Sequence, residues 1–273
     1  MIAQIAVLGA GGRMGRSLTE SIFAASWQDK TKLTAAIVPQ HSPLIGTDIG
    51  SIVLSKPVDV VCTDNITDVI EHFDVLIDFT TPEISLQYLK ICQKYNKALV
   101  LGTTGFTIPQ RKEIAAAAQH IPIVYAANMS IGINLLLGLV HKIAAVLSEQ
   151  ADVEIIEAHH KHKKDAPSGT ALAIGEAIAQ AQGTDLQNRA VYTRHGNDIG
   201  ARAPGSIGFS TIRAGDIIGE HTALFALANE RLEITHKASS RRAFADGAVH
   251  AAHWLIENHH TQGLFSMQQV LGF

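Results

Sequence analysis

Cysteine is nearly absent from this 273-residue chain: Cys62 and Cys92 are the only two, each inside an apolar stretch. Two such residues give no disulfide framework, and buried free thiols suit a reducing compartment. An excess of positive charge is also missing. The formal net charge is −3, which gives no support to general nucleic-acid binding. No uninterrupted apolar run has the length of a bilayer span. No basic segment precedes Ile2, and the opening apolar run stops at Gly9, so no signal peptide is expected. Internal repeats, low-complexity tracts and long linkers are lacking too. The expectation is a cytoplasmic protein with no nucleic-acid and no membrane partner.

What is present is apolar: 47% of residues are hydrophobic, enough for a sizeable core in one large domain or two small ones. Residues 2–8 form a β-branched run ending in glycine, the pattern of a buried parallel strand. A helix is expected over 13–25, then a strand over 33–38 that Pro39 ends. Further strands are expected over 58–62, 73–79, 98–101 and 121–126, with helices over 83–95 and 109–119. Strands alternating with helices imply a parallel sheet covered on both faces. The pattern changes near Ser130. A long helix over 131–148, a strand over 153–158 and a helix over 168–182 are followed by successive strands across 206–236. Turns at Ala214, Gly215 and Asp216 and at Asn229 and Glu230 divide those strands, which favour an antiparallel or mixed sheet. A last helix is expected over 241–257.

Two motifs carry chemistry. Gly9, Ala10, Gly11, Gly12, Arg13, Met14 and Gly15 follow the first strand and open the first helix. Glycines there let the backbone approach a pyrophosphate, and the helix start offers N–H groups. The glycine spacing is imperfect: read from Ala10 it recovers Gly12 and Gly15. A tight strand-to-helix turn without a ligand is the plain alternative. At the end of the second strand, Val38, Pro39, Gln40 and His41 supply neither the acidic residue that binds a ribose nor a lysine or arginine for a 2′-phosphate. The choice between NADH and NADPH stays open.

The second motif packs His159, His160, Lys161, His162, Lys163 and Lys164 into six consecutive positions, ahead of Asp165, Ala166, Pro167, Ser168, Gly169 and Thr170. A cationic cluster beside a helix N-terminus is suited to holding an anion and giving it protons. In an extended strand His159 and His160 point to opposite faces, so both serve one pocket only if the strand ends there. Neighbouring lysines lower a histidine's pKa, and a bound anion raises it again. Ser168, Gly169 and Thr170 at the helix start are placed to grip a carboxylate. Each has a plainer reading: a solvated lysine, an N-cap serine, an exposed His162. A zinc site on His159 or His160 with His162 is opposed by the flanking lysines, so no metal is expected.

These motifs occur in order with Asp78, Phe79, Thr80 and Pro82; Gly102, Thr103, Thr104, Gly105 and Phe106; and Ala126, Ala127, Asn128 and Met129. Arg213 to Asp216, Gly219 to His221 and His236 to Arg241 follow. Over nearly the whole chain the set resembles the dihydrodipicolinate reductases, also called 4-hydroxy-tetrahydrodipicolinate reductases. The resemblance implies NADH- or NADPH-dependent reduction of a cyclic dicarboxylate to tetrahydrodipicolinate in lysine and diaminopimelate biosynthesis. It implies that residues 9–15 cradle the cofactor, and that Gly102, Thr103 and Thr104 with residues 126–129 line its nicotinamide side. His159 becomes the general acid. His160, Lys163, Ser168, Gly169 and Thr170 bind the substrate carboxylates, with Lys163 also assisting proton transfer. A Rossmann-like α/β domain of residues 1–129 and 241–273 is implied, with a substrate-binding and oligomerising α+β domain of residues 130–240 and a homotetramer. Val38 and Pro39 stand where the family has a Glu-Arg pair. Another two-domain NAD(P)-dependent reductase, such as an amino-acid dehydrogenase, is the alternative that the basic cluster disfavours.

Overall fold

The structure, a computed structural model, describes residues 1–258 and 261–273. The first half runs β1 (Ala3–Leu8), α1 (Arg13–Ile22), β2 (Thr31–Ile37), α2 (Ile49–Val53), β3 (Cys62–Thr63), β4 (Val75–Asp78), α3 (Pro82–Lys94), β5 (Ala98–Leu101), α4 (Ile108–Ala117) and β6 (Pro122–Tyr125). The rest runs α5 (Ile131–Leu147), β7 (Asp152–His159), α6 (Gly169–Ala181), β8 (Ala190–Val191), β9 (Ile207–Arg213), β10 (Glu220–Ala226), β11 (Arg231–Lys237), α7 (Arg242–Glu257), β12 (Gly263–Phe265) and α8 (Met267–Val270). The chain divides into two compact units, Met1–Ile131 with Arg241–Phe273, and Gly132–Ser240.

The first unit is built on a seven-stranded sheet in the order β12-β6-β5-β4-β1-β2-β3. Every pairing in it is parallel. Both faces are covered, so every residue of β4 and β5 is buried, and all but Asp78 at the end of β4 are apolar. Alternation along β1 sends Ile5 and Val7 to one side, against Leu18 of α1 and Ala248 and Leu255 of α7. Ala6 and Leu8 go to the other, in a cluster with Leu89 of α3 and Ile114 of α4. Strand order turns back at β1 and β4, and the glycine loop leaves the sheet there, where ligands of open α/β sheets bind.

Two departures from the sequence reading have clear causes. The strand expected over 58–62 contracts to the two residues of β3. The Asp48 carboxylate accepts the N–H groups of Val58 and Val60 at 3.0–3.2 Å, so those groups never join the ladder. The segment Ile131–Gln150 is helical over 20 residues with mean hydropathy 1.8, and so is long and apolar enough to cross a membrane by length and composition. That corrects the reading of no span-length apolar segment; His141 and Lys142 interrupt the run in sequence but do not lower its average enough. Leu136, Val140 and Ala144 of this helix pack into the core of the second unit.

That second unit holds a five-stranded mixed sheet in the order β11-β10-β7-β9-β8. β9 runs parallel to β7, whereas β10 is antiparallel to β7 and β11. β9 and β10 are therefore not a hairpin. They flank β7, and the 214–219 connection passes the end of that strand, where Ala214 N–H bonds His159 O at 2.9 Å. α5 and α6 bury Val140, Ile174 and Ile178 against Val153, Ile155, Phe209 and Phe225 on one sheet face.

The return of the chain to the first unit depends on close packing at one glycine. A β-carbon on Gly247 of α7 would overlap the Met129 carbonyl oxygen. Gly247→Ala is expected to lower stability by about 1–3 kcal/mol, because the helix must back away from that carbonyl. A urea unfolding midpoint measures it, and an unchanged midpoint would refute the packing account.

Candidate active site

β7 ends at His159, so the chain turns where the two histidines diverge. Glu157 and His159, two apart on the strand, share the face that meets α6. Strand register brings the rest. His221 of β10 lies opposite Glu157, and Arg213 of β9 lies opposite His159. The Glu157 carboxylate is 1% exposed. It meets His159 Nδ1 at 2.6 Å, and it accepts from Arg213 at 2.7 and 2.8 Å and from the Ser168 backbone N–H at 3.0 Å. Burial alone would raise its pKa, but Arg213, His159 and the Ser168 amide outweigh that and hold it at about 2. Arg213 also donates to Asp165 O at 2.6 Å, fixing the turn that follows the basic cluster.

His159 is buried, and burial is the main influence lowering its pKa. Lys163 and Arg213 act in the same direction, while Glu157 opposes them. The sequence reading anticipated the lysine contribution but not the larger one. Ser168 caps α6, accepting from Ala171 N–H at 3.2 Å, and its Oγ lies 3.0 Å from His221 Nε2. His221 is buried edge-on to His159, with ring centroids 5.1 Å apart. Burial and the neighbouring His159 bring its pKa down to about 4.

The other expected residues lie on the rim. Gly169 is exposed, and a side chain there would meet no atom within 4 Å, so the start of α6 faces open space. Thr170 is half-buried in the first turn of α6. His160 is half-buried, and its carbonyl accepts from Lys163 N–H at 3.1 Å. Lys163 pairs with Asp165 at 3.0 Å. His162 is exposed.

In the first unit the glycine loop fits a dinucleotide. Among the described residues no side chain caps α1, and no acidic residue sits in its first turn to compete with a bound anion. Gly9 has φ +70°, and a β-carbon on Gly15 would overlap the Gly9 carbonyl and the Ala10 backbone, so both positions require glycine. Gly12 and Arg13 are exposed and Met14 is half-buried, while a side chain on Gly11 would strike Leu44. Ala10 is buried and its N–H is bonded to Ile37 O. A side chain on Gly102 would enter the Phe79 ring. Thr104 and Ala127 are exposed, and Ala126 and Asn128 half-buried. Thr103 and Met129 point inward: the Thr103 hydroxyl donates to Asp78 at 3.4 Å and accepts from Ser85 at 2.9 Å, and Met129 packs in the core. At the end of β2, Val38 is buried and its N–H bonds Thr63 O.

Sequence reasoning left Glu157, Arg213, His221 and Asp78 without roles. The i, i+2 spacing of Glu157 and His159 was a readable sign; the partners on β9 and β10 depend on register. Glu157 is ionised more readily when folded than its ordinary 4.5, and His221 is protonated less readily than its ordinary 6.5. Both shifts therefore make the fold more stable at neutral pH than at acid pH. The His221 contribution fades as pH falls from about 6.5 to 4, and that of Glu157 from about 4.5 to 2, each up to about 3 kcal/mol. Acid titration of unfolding free energy should show loss beginning near pH 6 and steepening below 4.5. His221→Phe should flatten the upper limb, and an unaltered upper limb would contradict the assignment.

Comparison with known proteins covers both units. Residues 3–129 match the family described as dihydrodipicolinate reductase, N-terminus, and residues 132–271 match dihydrodipicolinate reductase, C-terminus. Among solved structures, the chain is similar to a dipicolinate-bound dihydrodipicolinate reductase from Paenisporosarcina sp. TG-14, at 23% identity and TM-score 0.75, covering 97% of this chain and 98% of that one. It shares the fold of an amine dehydrogenase from Mycobacterium smegmatis, at 12% identity and TM-score 0.61 over 97% and 95% of the two chains. A probable dehydrogenase from Thermotoga maritima gives 10% identity and TM-score 0.62 over 98% and 92%. With both halves matched, the chain belongs to the dihydrodipicolinate reductase family, oxidoreductases that use NADH or NADPH to reduce the cyclic dicarboxylate to tetrahydrodipicolinate in lysine biosynthesis.

Proposed function

We propose that the family reaction is carried out here by His159 as proton donor, with the substrate carboxylates bound by His160, Lys163, Ser168, Gly169 and Thr170. Residues 9–15, Gly102, Thr103, Thr104 and 126–129 hold the cofactor, Thr103 and Met129 through their backbone. The observation that carries this reading is that one side chain, Glu157, touches both His159 Nδ1 at 2.6 Å and the Ser168 amide at 3.0 Å. The proton donor and the helix start that grips an anion are thus held together. When bound, the reduced nicotinamide supplies a hydride to C4 of the conjugated ring, after loss of water where the 4-hydroxy form is the starting material. The protein must then answer the negative charge that builds on the ring. Cations and N–H groups around the carboxylates stabilise it, and His159 delivers a proton to C3. A substrate carboxylate displaces Asp165 from Lys163, so binding exchanges one ion pair for another. Its charge also raises the pKa of His159 when the acid is needed.

In this reading the first unit takes the nucleotide and the second the substrate, which the division of the chain at residues 131–132 and 240–241 supports. A homotetramer assembled through the mixed sheet is supported by its second face. α5 and α6 cover one side, while Ile156, Ile212 and Leu224 lie on the other, with Ile212 47% exposed. A cytoplasmic location is supported by two buried, unpaired cysteines, with burial pushing the Cys92 thiol up to about 12.

His159→Gln should lower kcat by about 10²–10⁴-fold with the dissociation constant for NADH or NADPH unchanged, measured by cofactor oxidation coupled to the synthase that makes the substrate. Unchanged turnover would remove His159 from the acid role. Lys163→Ala should raise KM for the dicarboxylate and lower kcat together; an ordinary KM would contradict the carboxylate assignment.

A further inference from the structure

His159 has two ring nitrogens, and its surroundings treat them differently. On its own strand it faces Glu157, on β9 Arg213, on β10 His221 and, in the turn after β7, Lys163; His236 of β11 stands opposite His221, and Asp165 is shared by Lys163 and Arg213. Glu157 is the one anion among the described residues in contact with the ring, at 2.6 Å from Nδ1. An ionised carboxylate only accepts, so Nδ1 must carry a hydrogen. The other nitrogen, Nε2, lies beside Gly219, where a β-carbon would stand 3.1 Å away. The absence of a side chain there leaves room against Nε2.

We propose that Glu157 is a positioning residue for the reduction: clamped by Arg213, it holds the hydrogen of His159 on Nδ1 and reserves Nε2 as the nitrogen that protonates the substrate. This rests on the acid role given to His159 above. In the step, the Nε2–H bond breaks and its electrons stay on the imidazole. The new C–H bond forms from the electron pair of the reduced ring's enamine. The imidazole is left neutral with Nδ1–H still on Glu157, and water returns the proton to Nε2. Arg213 makes two bonds to Glu157, which keeps the carboxylate from taking the Nδ1 hydrogen. The comparable arrangement in carboxylate–histidine pairs fixes both ring orientation and tautomer.

Glu157→Gln tests this without changing size. Both carboxylate oxygens accept from donors, Oε1 from Ser168 and Arg213 and Oε2 from His159 and Arg213. An amide must therefore turn its NH₂ toward a donor in either orientation. In the full-length protein with labelled histidine, long-range nitrogen NMR should show wild-type His159 as the Nδ1–H tautomer when neutral. In Glu157→Gln its titration should move down by about one pH unit or more, with kcat lower by about 10²-fold or more and cofactor affinity within about twofold. An Nε2–H tautomer in the wild type overturns the proposal and needs no variant to fold. A fall in kcat with His159 titrating as before would make Glu157 a structural support and equally overturn it. Because the spectra read the tautomer directly, the Glu157 contact can stand or fall apart from the acid role, which His159→Gln decides.

Discussion

A buried carboxylate clamped by a guanidinium is the constraint on which the second unit depends. Glu157 is 1% exposed and answers to Arg213, His159 and the Ser168 amide at once. An unpaired ion at such depth would be strongly destabilising, and a bidentate pair with further N–H donors offsets that loss. The arrangement also joins three stretches of chain far apart in sequence: the end of β7, the start of α6 and the end of β9. Glu157 anchors the start of the basic cluster through His159, and Asp165 pairs with Lys163 further along it.

These pairings explain how so many positive groups coexist. Between them, Glu157 and Asp165 bind Arg213, Lys163 and His159. His221 stays neutral in its buried position. In the proposed reaction, an anion bound beside His159 raises its pKa, which ties substrate binding to proton donation through electrostatics.

Much of this was legible in the sequence. The strands of the first unit are short apolar runs between glycine and proline, and β5 was placed to the residue at Ala98–Leu101. The helices α3, α5 and α6 were found within a residue or so; Pro82 and Ser168 mark the starts of the first and last of them. Where backbone groups found side-chain partners, the reading failed, as at Asp48 and β3. β8 has two residues and β12 three, too few for any period. α8 was missed although Ser266 and Gln269 form a capping box that sequence could have flagged. At the site, His159 and Ser168 were visible as a motif. Arg213 and His221 were visible only as letters, since their meaning comes from β9 and β10 lying on either side of β7.

The first unit is also discontinuous, and this has a consequence for how the protein is made. Residues 1–131 leave the ribosome first, but their sheet lacks its edge strand β12, and the α7 side chains Ala245, Ala248, Val249, Ala252 and Leu255 are missing from its core. More than a hundred residues of the other unit, Gly132–Ser240, must be translated before those pieces emerge. The second unit, Gly132–Ser240, is contiguous and complete in its own strands. During synthesis it is therefore the later segment that can finish first, while the nascent first unit waits with an apolar face uncovered.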